Sequence, residues 1–355
     1  MLKSRRSRLN RFFEENRLDA ILITDLSNVR YLSGFSGSDG ALLVTQSVCC
    51  FLCDSRYTVQ ARDEVRGAEV RECPVRLDVL AEMAAEKRFV RLGFEAACTT
   101  VSDYKKMVDR LAGIELVEIG PAVDEIRSCK DHAEIESLKV VAKLASLALS
   151  DVLKYVMPGI SEADIALNLE LEMRRRGADG RAFDFIVASG VRGAMPHGRA
   201  SDKLIRPGEL VTIDFGALKD GYHSDETVTV SCGAPGNREK EIHAIVREAH
   251  DLAIEAVTPG INCRELDAVA RDFIVKHGYG DFFGHGLGHG VGLDVHEKPT
   301  ISPRSEAVLE EGMVFTIEPG IYIPGFGGVR IEDTLLVTAD GYQVLTSADK
   351  RLQIL

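Results

Sequence analysis

Over the first third of the chain, apolar residues fall in short runs broken by polar turns; beyond it they recur at spacings of three and four. Leu2, Leu9, Phe12 and Phe13 line one face of an amphipathic opening helix. Residues 19–23, 41–45 and 50–53 read as short buried strands between Gly/Ser-rich turns. Residues 77–86 read as a helix, 90–94 as a strand and 102–111 as a helix. This alternation predicts an α/β unit over residues 1–127, a mostly buried sheet flanked by helices. No histidine precedes His132, and no catalytic constellation is visible in this part.

From residue 128 the pattern changes. Ile135, Leu138, Val141, Ala142, Ala145 and Leu149 give a long helical stripe from 133 to about 156, which Pro158-Gly159 stops. Ser161 then stands as an N-cap with Asp164 at the capping-box position, and Ile165, Leu169 and Met173 form a second stripe that ends at Gly177. The same order is written again. Residues 239–257 are helical, Pro259-Gly260-Ile261 repeats Pro158-Gly159-Ile160, Asn262 with Glu265 repeats the cap, and Gly278 repeats Gly177, each 101 positions on. Thr212-Ile213-Asp214-Phe215-Gly216 answers to Thr316-Ile317-Glu318-Pro319-Gly320. Each has a second acid downstream, Asp225 and Glu332, and a histidine upstream, His197 and His296. A repeat near 100 residues predicts two pseudo-symmetric halves within residues 128–355, too long a period for a solenoid.

The 355 residues carry a net charge of −12, which disfavours a phosphate backbone or an anionic membrane surface as partner. No apolar run approaches a bilayer span. The Arg-rich start suits the amphipathic helix better than a transit peptide, because Glu14 and Glu15 follow at once. Eight scattered cysteines form no framework and imply a reducing, cytoplasmic setting. Cys50-Phe51-Leu52-Cys53 has redox spacing, but it lies in an apolar strand and lacks the helix start that lowers a thiol pKa.

The chemistry gathers in the repeated slots. Alternation along the strand turns Asp214 away from Val211 and Ile213, and a hairpin brings Asp225 back beside it. Two such carboxylate pairs on a half-buried surface repel unless cations lie between them. Four carboxylates balance two divalent ions in formal charge. Residues 284–297 hold five glycines and three histidines, a density that permits close backbone approach or φ > 0, and His289 there is a fifth, nitrogen donor. Such an oxygen-rich set suits Mn²⁺, Co²⁺ or Fe²⁺ better than structural zinc. Paired metals serve hydrolysis, with His197 and His296 placed to stabilise an oxyanion or move protons.

These residues stand in the order of the five ligands of the methionyl aminopeptidase–prolidase–creatinase family, and Pro196-His197-Gly198, Ile213-Asp214-Phe215-Gly216, His285-Gly286-Leu287-Gly288-His289-Gly290, Val295-His296-Glu297, Glu318-Pro319-Gly320 and Arg330-Ile331-Glu332-Asp333 resemble its motifs. The first domain, with Asn28 to Phe35 and Asp54-Ser55-Arg56-Tyr57, resembles that family's creatinase-type N-terminal domain. The resemblance implies an α+β chain whose catalytic domain has the pita-bread fold, preceded by the α/β domain.

It also implies roles. Asp225 and Glu332 bridge two divalent ions (Mn the first choice, Co, Zn or Fe also possible), Asp214 chelates one, and His289 with Glu318 completes the other. Glu318 moves a proton from a bridging hydroxide to the leaving nitrogen. His197 and His296 hold the carbonyl oxygen, and His285 and Arg330 belong to the substrate pocket or the shell around the ligands. The activity implied is Xaa-Pro aminopeptidase, acting as a homodimer on peptides with proline second, with Xaa-Pro dipeptidase (prolidase) as the alternative. A metal-free binding module of the same fold is disfavoured because all five ligands are present, and creatinase because its ligand set differs. One departure stands out. The family commonly follows its second Asp with an aliphatic residue and Thr-Arg-Thr, whereas here Asp225 is followed by Glu226-Thr227-Val228-Thr229, which adds a charge beside the site and removes the Arg.

Overall fold

A computed structural model of the chain describes residues 2–355, the side chain of Lys3 aside. It separates into two compact units, one ending at Arg127 and the other spanning Ser128–Leu355.

In the first unit, β1 (Ala20–Ile23), β2 (Ala41–Val44), β3 (Cys49–Cys53), β4 (Glu69–Glu72), β5 (Arg91–Phe94) and β6 (Glu115–Glu118) form one sheet in the order β4-β3-β2-β1-β5-β6. The four central strands are almost wholly buried and apolar, while the edge strands β4 and β6 begin and end on exposed glutamates. Edge strands with charged ends resist pairing with other chains. The helices are α1 (Leu2–Ser7), α2 (Asn10–Asn16), α3 (Leu26–Ser33), α4 (Thr58–Glu64), α5 (Arg76–Lys87), α6 (Val101–Arg110) and α7 (Ala122–Ser128). The expected single opening helix is two, divided where the Arg8 and Leu9 N–H groups turn back to the carbonyls of Arg5 and Arg6. Leu9 and Phe13 still bury the same stripe. None of the eight cysteines is bridged, and burial pushes the Cys50 thiol up to about 11, the wrong direction for a redox pair.

In the second unit, the repeat becomes two helix pairs over two sheets. In the first half, α8 (His132–Val152) and α9 (Glu162–Arg175) pack against β7 (Ile186–Ser189), β8 (Glu209–Phe215) and β9 (Glu226–Cys232), through a core containing Val141, Leu169, Val211 and Ile213. In the second, α10 (Asn237–Glu255) and α11 (Cys263–Lys276) pack through Val246, Leu266, Phe315 and Ile317. The sheet they cover is built of β10 (Gly288–Gly290), β11 (Glu297–Ile301), β12 (Val314–Ile317), β15 (Asp333–Thr338) and β16 (Gly341–Val344), ordered β11-β10-β12-β15-β16. A separate ribbon pairs β13 (Gly320–Ile323) with β14 (Gly327–Arg330). Ser161 and Asp164 form the expected capping box, and Asn262 caps the matching helix. Gly159 and Gly260 match at φ 93° and 90°, open positions where glycine serves backbone conformation alone. The halves are stitched at their inner strands. Glu332 N–H donates to Thr227 O (3.1 Å) and Thr229 Oγ1 to Arg330 O (2.8 Å).

Candidate metal centre

Strand alternation puts Val211, Ile213 and Phe215 of β8 into the core under α8 and α9, so Asp214 faces the opposite side, toward the second half. β9 runs back antiparallel with Thr227 opposite Asp214, which sets Asp225 diagonally beside Asp214 on the same face. Glu332 closes from the other half and accepts from Thr227 Oγ1 (2.6 Å), while Thr334 Oγ1 holds the Asp225 carbonyl (2.7 Å). His289 sits at a bulge in β10, its N–H on Thr316 Oγ1 (3.1 Å), and the same hydroxyl donates to Glu318 (3.3 Å).

Donor atoms of Asp225, His289 and Glu332 lie within 4.8 Å of one another. The Nδ1 of His289 is 3.1 Å from Gly290 O, which leaves Nε2 facing Glu318 Oε1 at 3.4 Å and Asp225 Oδ2 at 3.7 Å. Burial lowers the His289 pKa, so Nε2 presents a lone pair to two carboxylates. Only a proton or a cation reconciles these three acceptors. Asp214 adds a second sign of an absent partner. One of its oxygens is 2.5 Å from Arg330 Nη2, whereas Oδ1 is buried and meets no hydrogen-bond donor among the described residues. The donor set therefore fits divalent cations.

Burial, then repulsion from the neighbouring acids, holds Asp225 and Glu332 well above the usual carboxylate range, and burial pushes Glu318 up to about 8. A carboxylate raised on folding contributes stability below its unfolded value that is lost as pH rises through the folded one. Chelated protein is therefore expected to lose thermal stability as pH rises from about 4.5 to about 8, and the Tm gained on adding Mn²⁺ is expected to grow over that interval. Melting curves at three pH values check this; a Mn²⁺ increment that shrinks with pH contradicts it.

A second layer orients the first. Arg330 is buried, with Nη1 donating to Tyr322 OH (2.9 Å) and to Pro196 O (3.1 Å). His285 Nε2 is 2.9 Å from the same phenol, and burial holds this imidazole down to about 4, hence neutral. Tyr322, Thr227 and Thr316 were not singled out in the sequence; Tyr322 stands four residues past Glu318 on β13, and that proximity is the only linear signal for it.

His296 packs beside His289 with ring centroids 4.3 Å apart, and burial lowers its pKa. His197 is exposed, on a loop that a fully buried carboxylate clasps at both ends. Glu162 accepts from Ser189 N and Oγ (both 2.8 Å) before the loop and from Ser201 Oγ (2.7 Å) after it, and pairs with Arg192 within it. All the named candidates, His197, Asp214, Asp225, His285, His289, His296, Glu318, Arg330 and Glu332, line one cavity of about 590 Å³. The expectation for Glu226 needs correction. Its side chain adds no charge to the cavity but is wholly buried behind it, and Val228 is a core residue.

Residues 136–339 match the profile of metallopeptidase family M24, and residues 5–129 match the creatinase/prolidase N-terminal domain. The chain belongs to metallopeptidase family M24, a family of two-halved, pita-bread catalytic domains. It is 45% identical over 349 residues to the uncharacterized peptidase YqhT of Bacillus subtilis (98% of this chain, 99% of that one). To the Xaa-Pro dipeptidase of Pyrococcus furiosus it is 39% identical over 355 residues (99% and 100%). Among solved structures, the Xaa-Pro dipeptidase from Bacillus anthracis superposes with a TM-score of 0.98 at 41% identity, covering all of both chains. The X-Pro aminopeptidase from Thermotoga maritima superposes at 0.90 and 39%, covering 96% and 98%. No helix among the described residues is long and apolar enough to cross a membrane.

Proposed function

We propose that the chain hydrolyses Xaa-Pro dipeptides, with Asp214, Asp225, His289, Glu318 and Glu332 holding two divalent cations, Mn²⁺ by preference. The convergence of Asp225, His289 and Glu332 within 4.8 Å, with the electron pair of His289 facing carboxylates, carries the metal reading. Bound divalent cations supply Lewis-acid polarisation of a carbonyl and a water of lowered pKa. The remaining work belongs to side chains. Glu318 lines the cavity, where its carboxylate is placed to accept a proton from the attacking water and return it to the departing proline nitrogen. His296 and His197 reach the cavity from the two halves and donate N–H groups to the scissile carbonyl oxygen as it gains charge. The Arg330–Tyr322–His285 chain, part of the same cavity wall, holds Asp214 in place.

The dipeptidase reading takes precedence over the aminopeptidase expected from the sequence because the Pyrococcus relative and the Bacillus anthracis structure both carry that name. The Thermotoga structure keeps aminopeptidase as the second reading. The deciding assay chelates the protein, restores Mn²⁺ and offers an Xaa-Pro dipeptide, an Xaa-Pro-Yaa tripeptide and an Xaa-Ala-Yaa control. Metal-restored cleavage of the dipeptide with the tripeptide inert is expected. Rapid tripeptide cleavage between Xaa and Pro with a slow dipeptide makes it an aminopeptidase.

A further inference from the structure

Two of the candidate ligands are each followed by another acid, Asp225 by Glu226 and Glu332 by Asp333. Successive side chains of an extended backbone point to opposite faces, so the four acids divide. Asp225 and Glu332 face the cavity, while Glu226 and Asp333 face the packed space behind it. There a single ammonium meets both. Lys350 Nζ is 2.7 Å from Glu226 Oε1 and 3.2 Å from Asp333 Oδ1, and all three side chains are at least nine-tenths buried. The other lone pairs of the two acids are also engaged. Glu226 accepts from Ser146 Oγ (2.5 Å) and Ala348 N (2.8 Å), and Asp333 from Thr346 Oγ1 (2.6 Å), with His250 Nε2 at 3.3 Å. Lys350 arrives on the C-terminal segment, which lies along β9 through Ser231 N to Gln353 O (2.8 Å) and Leu355 N to Ser231 O (2.9 Å).

We propose that Lys350 is a positioning residue of the metal centre, a bracket across the back of β9 and β15 that sets the spacing of Asp225 and Glu332, with Glu226 as its dedicated counter-charge. The inference rests on the reading of Asp225 and Glu332 as metal ligands. Its physical basis is the arrangement of charge. Two front carboxylates aimed at one site repel and tend to spread the strand starts that carry them. A cation fixed behind, bonded to the next residue of each strand, opposes that spread through one backbone unit on either side. Groups that orient metal ligands in this way commonly govern affinity by about 10–100-fold when removed. The bracket also accounts for the acid at position 226. A buried carboxylate is tolerable only when its charge is paired and its lone pairs are bonded, and Lys350, Ser146 and Ala348 provide both.

The test is calorimetric titration of chelated full-length protein with Mn²⁺, in parallel with thermal melts, on wild type, Asp225→Asn, Lys350→Met, Glu226→Gln and the Glu226→Gln/Lys350→Met double variant. Wild type is expected to bind Mn²⁺ and Asp225→Asn to bind at least tenfold less tightly; a wild type that binds none overturns the metal reading itself. Given that binding, Lys350→Met is expected to weaken Mn²⁺ by about tenfold or more. The double variant, which removes an orphaned buried carboxylate along with its partner, is expected to recover part of the loss. Lower melting temperatures with an unchanged Mn²⁺ Kd reduce Lys350 to a purely structural role and overturn the proposal. Should Lys350→Met fail to fold, Glu226→Gln decides, because it keeps the shape and most hydrogen bonds while removing the charge. A several-fold weaker Kd there supports the bracket, and an unchanged one overturns it.

Discussion

Asp225→Asn is expected to abolish metal-dependent peptide hydrolysis while making the metal-free protein more stable. Asp225 belongs, with His289 and Glu332, to a cluster of donor atoms within 4.8 Å of one another. Losing the metal-borne stabilisation of the reacting carbonyl removes on the order of 4 kcal/mol from catalysis, about a thousand-fold in kcat/KM. Its burial and the charges of Glu332 and Asp214 are also what push its carboxyl far above the usual range, so an amide of the same shape relieves repulsion that the folded chain otherwise bears. A gain of about 1 kcal/mol raises the Tm of chelated protein by roughly 2–4 °C in a unit of this size. Opposite signs for activity and metal-free stability mark a functional site held against its own charge. Melting curves of chelated wild type and variant, with peptide assays after Mn²⁺ addition, check both. A variant that melts lower than wild type without metal refutes the electrostatic account.

Gly288→Ala is expected to cost both stability and activity, for a steric reason. A Cβ there would lie 1.9 Å from the carbonyl oxygen of Thr316 and 2.7 Å from its carbonyl carbon, backbone atoms that cannot turn away. The strand must shift, and with it His289, whose N–H is held by Thr316 Oγ1, and Glu318, whose N–H donates to Leu287 O (2.8 Å). Overpacking of this kind costs about 3 kcal/mol at the upper end of its usual range, a fall in Tm of roughly 6–12 °C. Displacement of a ligand by about 1 Å costs a further hundred-fold or so in rate. A Gly288→Ala protein with wild-type Tm and turnover shows that the loop yields more readily than its backbone contacts indicate.

That same loop shows where linear reading succeeds and where it stops. Glycine density in 284–292 pointed correctly to close approach, as Gly288 and Gly290 demonstrate, yet none of these glycines has positive φ. The positive φ values fall instead on the repeated stops, Gly159 with Gly260 and Gly177 with Gly278, which the 101-residue offset had already paired. Acids in matching slots of a repeat are visible because duplication writes them twice. Tyr322 has no such echo, and although Thr316 matches Thr212 and Thr227 matches Thr334, a repeated threonine names no partner. Their meaning lies in bonds such as Thr227 to Glu332, formed across the two halves between residues about a hundred positions apart, which no periodicity records. The direction of Glu226 was hidden for the same reason, since its partner Lys350 is 124 positions away. In the first unit, short helices such as α3 escaped notice because eight residues hold too few turns to display a stripe.

On the proposed ligand set, the seam between the halves bears on how bound metal would leave. In the proposed ligand set the first half supplies two aspartates and the second a histidine and two glutamates, so neither half would complete it alone. A fluctuation that parts Thr227 from Glu332 would separate the proposed ligands across the seam, with each half keeping its own hydrophobic core. Metal held by that set would act as a rivet across the seam, its off-rate tied to local opening there rather than to unfolding. Occupancy would then gauge the register between the two lobes, neither of which supplies the whole set.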